Sequence, residues 1–429
     1  MTIDSSWLCA FKEELPHAFT KRSPFSPDAV FVDGQIKLMQ GPQAEPQTWD
    51  DFIYRQFARH LTKFYESGCD AVVLAFDNYE HVPRAKCMTQ AKRRRNIPVL
   101  PFSAASELPC MVPEGERWAQ CIANRTFKTR VIDLVLLRLP ALLLHGKPRR
   151  RLIVDYQAPV EYRFVDGVVR AVAIEGLDPL GEADVKFVRF ADRFGKLLVD
   201  SIDGDSIPIA LLHHELCLRR ATPPPVVSIY RMELNISGQK RAADGKRAPR
   251  SYEYVNVHAL YEGLMTAIAQ CTGRIRVPTH AGHEMGMLVS LIALTGTDFS
   301  RNLPQMSGKS VYGWLPDIWP TLITAYLPEG TGRLEQARAT EQLVALLYRI
   351  KFPKHVGASG SLQRVLSDLQ ASSISQKTKD TLPTYERIAC TVRNTNWVLA
   401  YWTCGPAPDP IHPQYGFRLL SSGCPEYDD

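Results

Sequence analysis

No C-x-x-C pair occurs among the ten cysteines, which are scattered at positions 9, 69, 87, 110, 121, 217, 271, 390, 404 and 424. That scatter reads as no zinc site and no disulfide framework, and it predicts a reducing, intracellular setting. No apolar run is long enough to span a membrane. The greasiest stretch, residues 131–144, is interrupted by Asp133, Arg138 and Pro140. No signal peptide shows, because Asp4, Lys12, Glu13 and Glu14 surround the short apolar patch near residue 1. No internal repeat is seen. Neither sign of charge dominates: 51 Lys and Arg stand against 45 Asp and Glu, a net charge of +6. That balance permits a nucleic-acid partner without requiring one. The 429 residues, 45% hydrophobic and 22% charged, fit a globular chain of two or three domains or one elaborated core.

What is present centres on residues 181–205, GEADVKFVRFADRFGKLLVDSIDGD. Two acid pairs, Glu182 with Asp184 and Asp203 with Asp205, flank an amphipathic run and then an aliphatic one. Val185, Val188, Ala191 and Phe194 recur at helical spacing, and residues 197–199 read as a strand. The first pair therefore lies at a helix start and the second near a strand's carboxyl end, the edge where open α/β sheets bind ligands. Either pair alone reads equally well as solvated helix-start or turn acids. Four acids meeting at one edge repel unless cations neutralise them, and oxygen-only donors favour Mg²⁺ or Mn²⁺ over zinc.

Upstream, residues 1–28 form a mixed leader with no clear element. Residues 29–33 (AVFVD) read as a buried strand ending in Asp33. Thr48 and Asp51 make a capping pattern before a helix carrying Ile53, Phe57, Leu61 and Phe64 inward. Residues 71–76 (AVVLAF) read as a second strand, followed by Asp77. This is the grammar of a parallel βαβ unit. A basic run follows: Arg84, Lys86, Lys92, Arg93, Arg94 and Arg95. It reads as a solvated face or as a phosphate clamp, since Lys86 and Arg93 share a helix face two turns apart. Helices are expected near 116–129 and 130–145, packed as a cap. Asp166-Gly167 between β-rich runs predicts a hairpin. Further expected elements are a strand at 226–232 and helices near 257–268, 283–295 and 335–350. His213 and His214 read as structural or exposed, because an oxygen-only site leaves them no role. The last 60 or so residues show no firm periodicity.

Taken together, these motifs resemble the flap endonuclease/XPG family of structure-specific 5′ nucleases. The matches run in order: VFVDG with Asp33; AFDNYEHVPRAKCMTQAKRRR with Asp77, Lys86 and Arg93; Glu182-Ala183-Asp184; Asp203-Gly204-Asp205; and LTGTDFSRNLPQMSGKS with Asp298. The likeness covers roughly residues 29–320, and all seven acidic positions are filled. Three features depart from the family pattern. The chain begins MTIDSSW rather than with a Met-Gly leader, Met39 stands where a stacking aromatic is usual, and residues 305–309 (QMSGK) retain a single displaced glycine.

The resemblance implies an α/β fold, a PIN-like parallel-sheet core flanked by helices, with a helical arch or cap and a helix–hairpin–helix element. It implies a core at 29–355, an arch or gateway at 84–150, an inserted hairpin at 160–174, a helix–hairpin–helix region at 283–320 and a C-terminal extension at 356–429. It further implies two Mg²⁺ or Mn²⁺ ions held by Asp33, Asp77, Glu182, Asp184, Asp203, Asp205 and Asp298, with Lys86 and Arg93 as catalytic cations. Arg84, Lys92, Arg94, Arg95 and Lys309 would bind nucleic acid. The implied partner is nucleic acid with a free 5′ end or flap, DNA before RNA, met by a monomer in the nucleus or another site of DNA replication. No sliding-clamp motif and no membrane partner are expected. An RNA endonuclease on the same core and an inactive nucleic-acid-binding scaffold are the alternatives.

Overall fold

The computed structural model describes residues 5–42, 48–78, 98–103, 105–177, 180–201, 203–232, 252–272, 282–295, 303–328, 333–334, 338–403, 417–419 and 425–427. Its centre is a nine-stranded sheet. The strands are β1 (Phe19–Thr20), β2 (Ala29–Asp33), β3 (Ala71–Ala75), β4 (Arg151–Asp155), β5 (Pro159–Val165), β6 (Val168–Ala173), β7 (Lys196–Asp200), β8 (Val226–Met232) and β9 (Tyr252–Asn256), in the order β1-β9-β8-β7-β2-β3-β4-β5-β6. Strands β8, β7, β2, β3 and β4 run parallel, and antiparallel strands close both edges.

Alternation along the strands explains the two layers of helices. Val30, Val32, Val72, Leu74, Leu152 and Val154 point to one face, beneath Phe52, Phe57, Leu61, Phe127, Val131 and Val135. Phe31, Val73, Ile153, Leu197 and Val199 point to the other, beneath Val185, Phe187, Val188 and Phe190 of the Ala183–Phe194 helix. The chain leaves β2 toward β3 and β4 on one side, then returns to β7 and β8 on the other. Asp33 and the segment after β7 therefore straddle a reversal of strand order, where open sheets leave a crevice.

Several expectations meet the structure directly. Thr48 accepts from the Asp51 amide and starts the helical run at 49–66. Asp166 and Gly167 take φ of 51° and 82° between β5 and β6, the left-handed pair that a tight hairpin requires. Two differences stand out. The helices Gly115–Ile122 and Arg125–Leu144 break near residue 123 rather than near 129, and they lie on the sheet, with Phe127, Val131, Ile132, Val135, Leu139 and Leu143 in the core. The leader is likewise no loose segment. The Ser5–Glu14 helix buries Trp7, Leu8 and Phe11, and β1 extends the sheet.

Trp7 explains what the displaced glycine does. A Cβ on Gly308 would stand 2.1 Å from Trp7 Cδ1, so the helix start at 308 approaches the indole rather than leaving space for a phosphate. The indole nitrogen donates to Thr295 Oγ1 at 2.9 Å, which fixes its seat. Gly308→Ala is therefore expected to overpack this contact and destabilise the fold by about 1–3 kcal/mol. Urea unfolding should show a lower midpoint at an unchanged slope. An unchanged midpoint would mean that Trp7 is not held against residue 308.

Candidate functional site

The carboxyl ends of the parallel strands collect the acids. Asp33 ends β2 and caps the Gly34–Gln40 helix, accepting from the Ile36 amide at 3.1 Å. Gly34 follows because a side chain there would meet Ala75 O at 2.9 Å and Phe76 Cε1 at 2.7 Å. The glycine lets the end of β2 close on the end of β3, and thus sets Asp33 beside Asp77. Asp77 Oδ1 in turn accepts from the Ala183 amide at 3.1 Å, which draws Glu182 and Asp184 to the same edge. A backbone bond from Asn78 to Gly181 O, at 2.6 Å, clamps the two segments. Beyond β7, Ser201 Oγ accepts from the Asp203 amide, and Asp203 Oδ1 accepts from the Asp205 amide, both at 3.1 Å. This turn folds Asp203 and Asp205 back to the start of the Ser206–Arg219 helix.

Electrostatics tie the set together. Burial, then the charge of Asp77, pushes the Asp33 carboxyl well above the usual carboxylate range. The Ile36 amide opposes this, while Asp184 and Asp203 add to it. Asp33, Asp77, Glu182, Asp184 and Asp205 are all buried, and Asp203 is partly exposed. Among the described residues, Asp33, Asp77 and Asp203 make no salt bridge. Carboxylates have only oxygen to offer, which is the donor chemistry of hard divalent cations. Six of the seven sequence-predicted ligands lie along this edge. The seventh, Asp298, lies outside the described residues, as do Arg84, Lys86, Lys92, Arg93, Arg94 and Arg95. Lys309 is not part of the cluster: its Nζ pairs with Glu13 at 2.6 Å, beside the N-terminal helix.

Four features of this edge escaped the sequence. Tyr401 comes from the Tyr385–Trp402 helix, in the stretch without periodicity, and meets the backbone of Glu182. Burial, then the charges of Glu182, Asp184 and Asp77, pushes its hydroxyl far up, so it stands as a neutral phenol among the acids. Asp155 and Asp200 end β4 and β7 as Asp33 ends β2, in RLIVD and KLLVD against AVFVD. That shared pattern was the signal available. Both carry cations, however. Asp155 pairs with Lys186 at 3.2 Å and with Arg189, while Asp200 meets His60 Nε2 at 2.6 Å and Lys37 at 3.3 Å. Burial raises the Asp200 carboxyl, yet His60 and Lys37 outweigh it and hold the group below its ordinary value. Finally, Tyr230 stacks on Tyr252 with centroids 5.1 Å apart, and Tyr254 packs on Tyr230 at 4.8 Å, next to Asp200.

No protein-family model and no curated protein matches this chain. Among solved structures it is similar to a pseudo-enzyme–product complex of bacteriophage T5 D15 flap endonuclease with DNA and metal ions. The identity is 12% and the TM-score 0.33, over 86% of this chain and 98% of that one. A likeness of that size has no bearing on function, which rests on the residues themselves. Among the described residues, no helix is long and apolar enough to cross a membrane.

Proposed function

We propose that this chain is a metal-dependent nuclease that hydrolyses phosphodiesters at the carboxyl edge of its parallel sheet. One observation carries the reading: burial and the charges of Asp77, Asp184 and Asp203, distant in sequence, raise the Asp33 carboxyl, and Glu182 and Asp205 are buried beside Asp184 and Asp203 in the chain. Two divalent ions held there, with Asp298 as the seventh ligand, would supply an activated water and charge neutralisation for the leaving oxygen. The protein's own part is positional. Gly34, the Asp77–Ala183 bond and the Asp203 turn would bring carboxylates from four chain segments toward one another. Tyr401 closes the set from behind as a neutral wall. Lys86 and Arg93 would face the scissile phosphate, while Arg84, Lys92, Arg94 and Arg95 would follow the backbone in a salt-sensitive way.

The finer reading is a structure-specific 5′ nuclease of replication or repair, acting on a flap or free 5′ end, with the 84–150 region as its arch or gateway. The stacked Tyr230, Tyr252 and Tyr254, with Tyr252 41% exposed, suit an unpaired strand better than a duplex, because aromatic faces stack on splayed bases. The seat of Trp7 at Gly308 favours a second reading. A hairpin that no longer opens to a duplex phosphate suits the same chemistry on single-stranded RNA or DNA.

The test is cleavage of end-labelled 5′-flap DNA, 3′-flap DNA, duplex, single-stranded DNA and single-stranded RNA in Mg²⁺, Mn²⁺ or EDTA, beside Asp203→Asn. Metal-dependent cutting near the 5′-flap junction, lost in the variant, is the expected result. Cutting confined to single strands selects the second reading. Salt-sensitive binding with no cutting of any substrate overturns both and leaves an inactive scaffold.

A further inference from the structure

The Ala183–Phe194 and Ser206–Arg219 helices flank β7 and pack against each other. Their amino ends carry the acid cluster. Near the opposite end, Asp192, His213 and Cys217 bring a carboxylate oxygen, an imidazole nitrogen and a sulfur within 4.8 Å of one another. Asp192 stands eight residues beyond Asp184 on one helix, about 12 Å along its axis. His213 and Cys217 stand one turn apart on the other. The two groups of donors are thus separate places.

The detail that matters is which nitrogen is used. Asp192 Oδ1 lies 3.0 Å from His213 Nε2, and Cys217 Sγ lies 3.6 Å from that same Nε2. A nucleophile relay uses the two ring nitrogens for two different partners, so this is no relay. Hydrogen bonding satisfies the arrangement poorly as well. If Nε2 carries a proton, it can be donated to the carboxylate or to the sulfur. If Nε2 is bare, it can accept weakly from the Cys217 thiol but faces the carboxylate lone pairs. One positive centre in place of that proton satisfies all three donors at once.

We propose that Asp192, His213 and Cys217 form a second cation site, for a borderline-soft divalent ion of the zinc class. Thiolate, imidazole and carboxylate together select zinc-like ions, whereas the oxygen-only cluster selects magnesium-like ones. The site has a way in: the Asp192 side chain is 58% exposed and the His213 side chain 11%, so water can complete the shell. Thr222 supports it from the adjoining turn, donating its hydroxyl to the Cys217 carbonyl at 3.0 Å. An ion here would staple the two helices whose amino ends carry Glu182, Asp184, Asp203 and Asp205. The scattered cysteines hid it, because its ligands come from two helices rather than a C-x-x-C loop.

The probe is Co²⁺, added to full-length protein dialysed against EDTA and then displaced by Zn²⁺. One equivalent should give a thiolate-to-cobalt charge-transfer band that Zn²⁺ removes. Cys217→Ser should lose the band. Asp192→Asn, at an exposed position that leaves packing untouched, should weaken Co²⁺ binding about tenfold or more. Asp33→Asn should keep the band, since the oxygen cluster holds no sulfur. No band in the parent protein, or a band unchanged in Cys217→Ser, overturns the assignment. If Cys217→Ser does not fold, Asp192→Asn and His213→Gln decide: unaltered affinity in both overturns it too.

Discussion

Asp33→Asn is expected to abolish metal-dependent cleavage and, without divalent ions, to make the protein more stable. Both effects follow from one cause. Asp33 is buried at the end of β2 and feels Asp77, Asp184 and Asp203. Asparagine keeps the shape and can still accept from the Ile36 amide, so the Gly34–Gln40 helix retains its cap. What is lost is one negative charge. In the metal-loaded protein that charge is a ligand. Losing even an outer partner of a ligand costs about 10–100-fold, so cleavage should fall by at least about 100-fold. In EDTA the same charge only repels its neighbours. A carboxyl raised by its neighbours destabilises the folded state when ionised, so the variant should be the more stable protein near neutral pH.

The pH dependence has a definite sign. The folded Asp33 carboxyl is raised above its unfolded value, so the folded state binds more protons between the two. Stability of the metal-free parent should therefore fall as pH rises from about 4, the unfolded carboxylate range, through the raised folded value. Asp33→Asn should flatten that slope, and saturating Mg²⁺ should flatten it in the parent. Urea unfolding across pH, with EDTA or Mg²⁺, reads all three. A variant that loses cleavage but is less stable than the parent in EDTA would make Asp33 a structural cap rather than a member of a repelling set.

Lys186→Met should produce the largest loss of stability. Lys186 lies in the first turn of the Ala183–Phe194 helix and is fully buried. Its ammonium donates to Phe76 O at 2.7 Å and to Asp155 O and Tyr156 O at 3.2 Å, and it pairs with the Asp155 carboxylate at 3.2 Å. Burial lowers its affinity for a proton, and Asp155 restores part of it. One cation thus ties the ends of β3 and β4 to the helix that carries Glu182 and Asp184. Methionine fills the same volume but leaves Asp155 to Arg189 and takes the ammonium away from the Phe76, Asp155 and Tyr156 carbonyls. Breaking a buried pair in this way costs about 3–5 kcal/mol. Because Phe76 adjoins Asp77, Mn²⁺ affinity at the acid cluster should weaken as well. A urea midpoint matching the parent's would show that the ammonium is not the tie between these strand ends.

These two residues mark the line between what could be read locally and what could not. AVFVD, AVVLA and KLLVD are aliphatic runs bounded by turn residues, and they become β2, β3 and β7. The amphipathic 183–194 run becomes a helix with its apolar face on the sheet. Strand ends in a parallel sheet share one edge, so acids placed after strands were bound to meet there. That much needs only the periods of strand and helix; the choice of Asp33 and Asp77 as ligands came from the family resemblance.

Which strand-end acids find a cation among the described residues was decided in three dimensions. Asp33, Asp155 and Asp200 look alike in sequence. Two have partners from other elements: Asp155 pairs with Lys186 and Arg189, and Asp200 pairs with Lys37 and meets the His60 ring. Tyr401 reaches Glu182 across more than two hundred residues, Trp7 fills the place at Gly308, and His213 meets Asp192 from the next helix. Local sequence determined the elements, the sheet edge and the gathering of acids. Tertiary structure alone decided the partner of each charge, because partners are set by packing between helices and strands whose spacing no local period encodes.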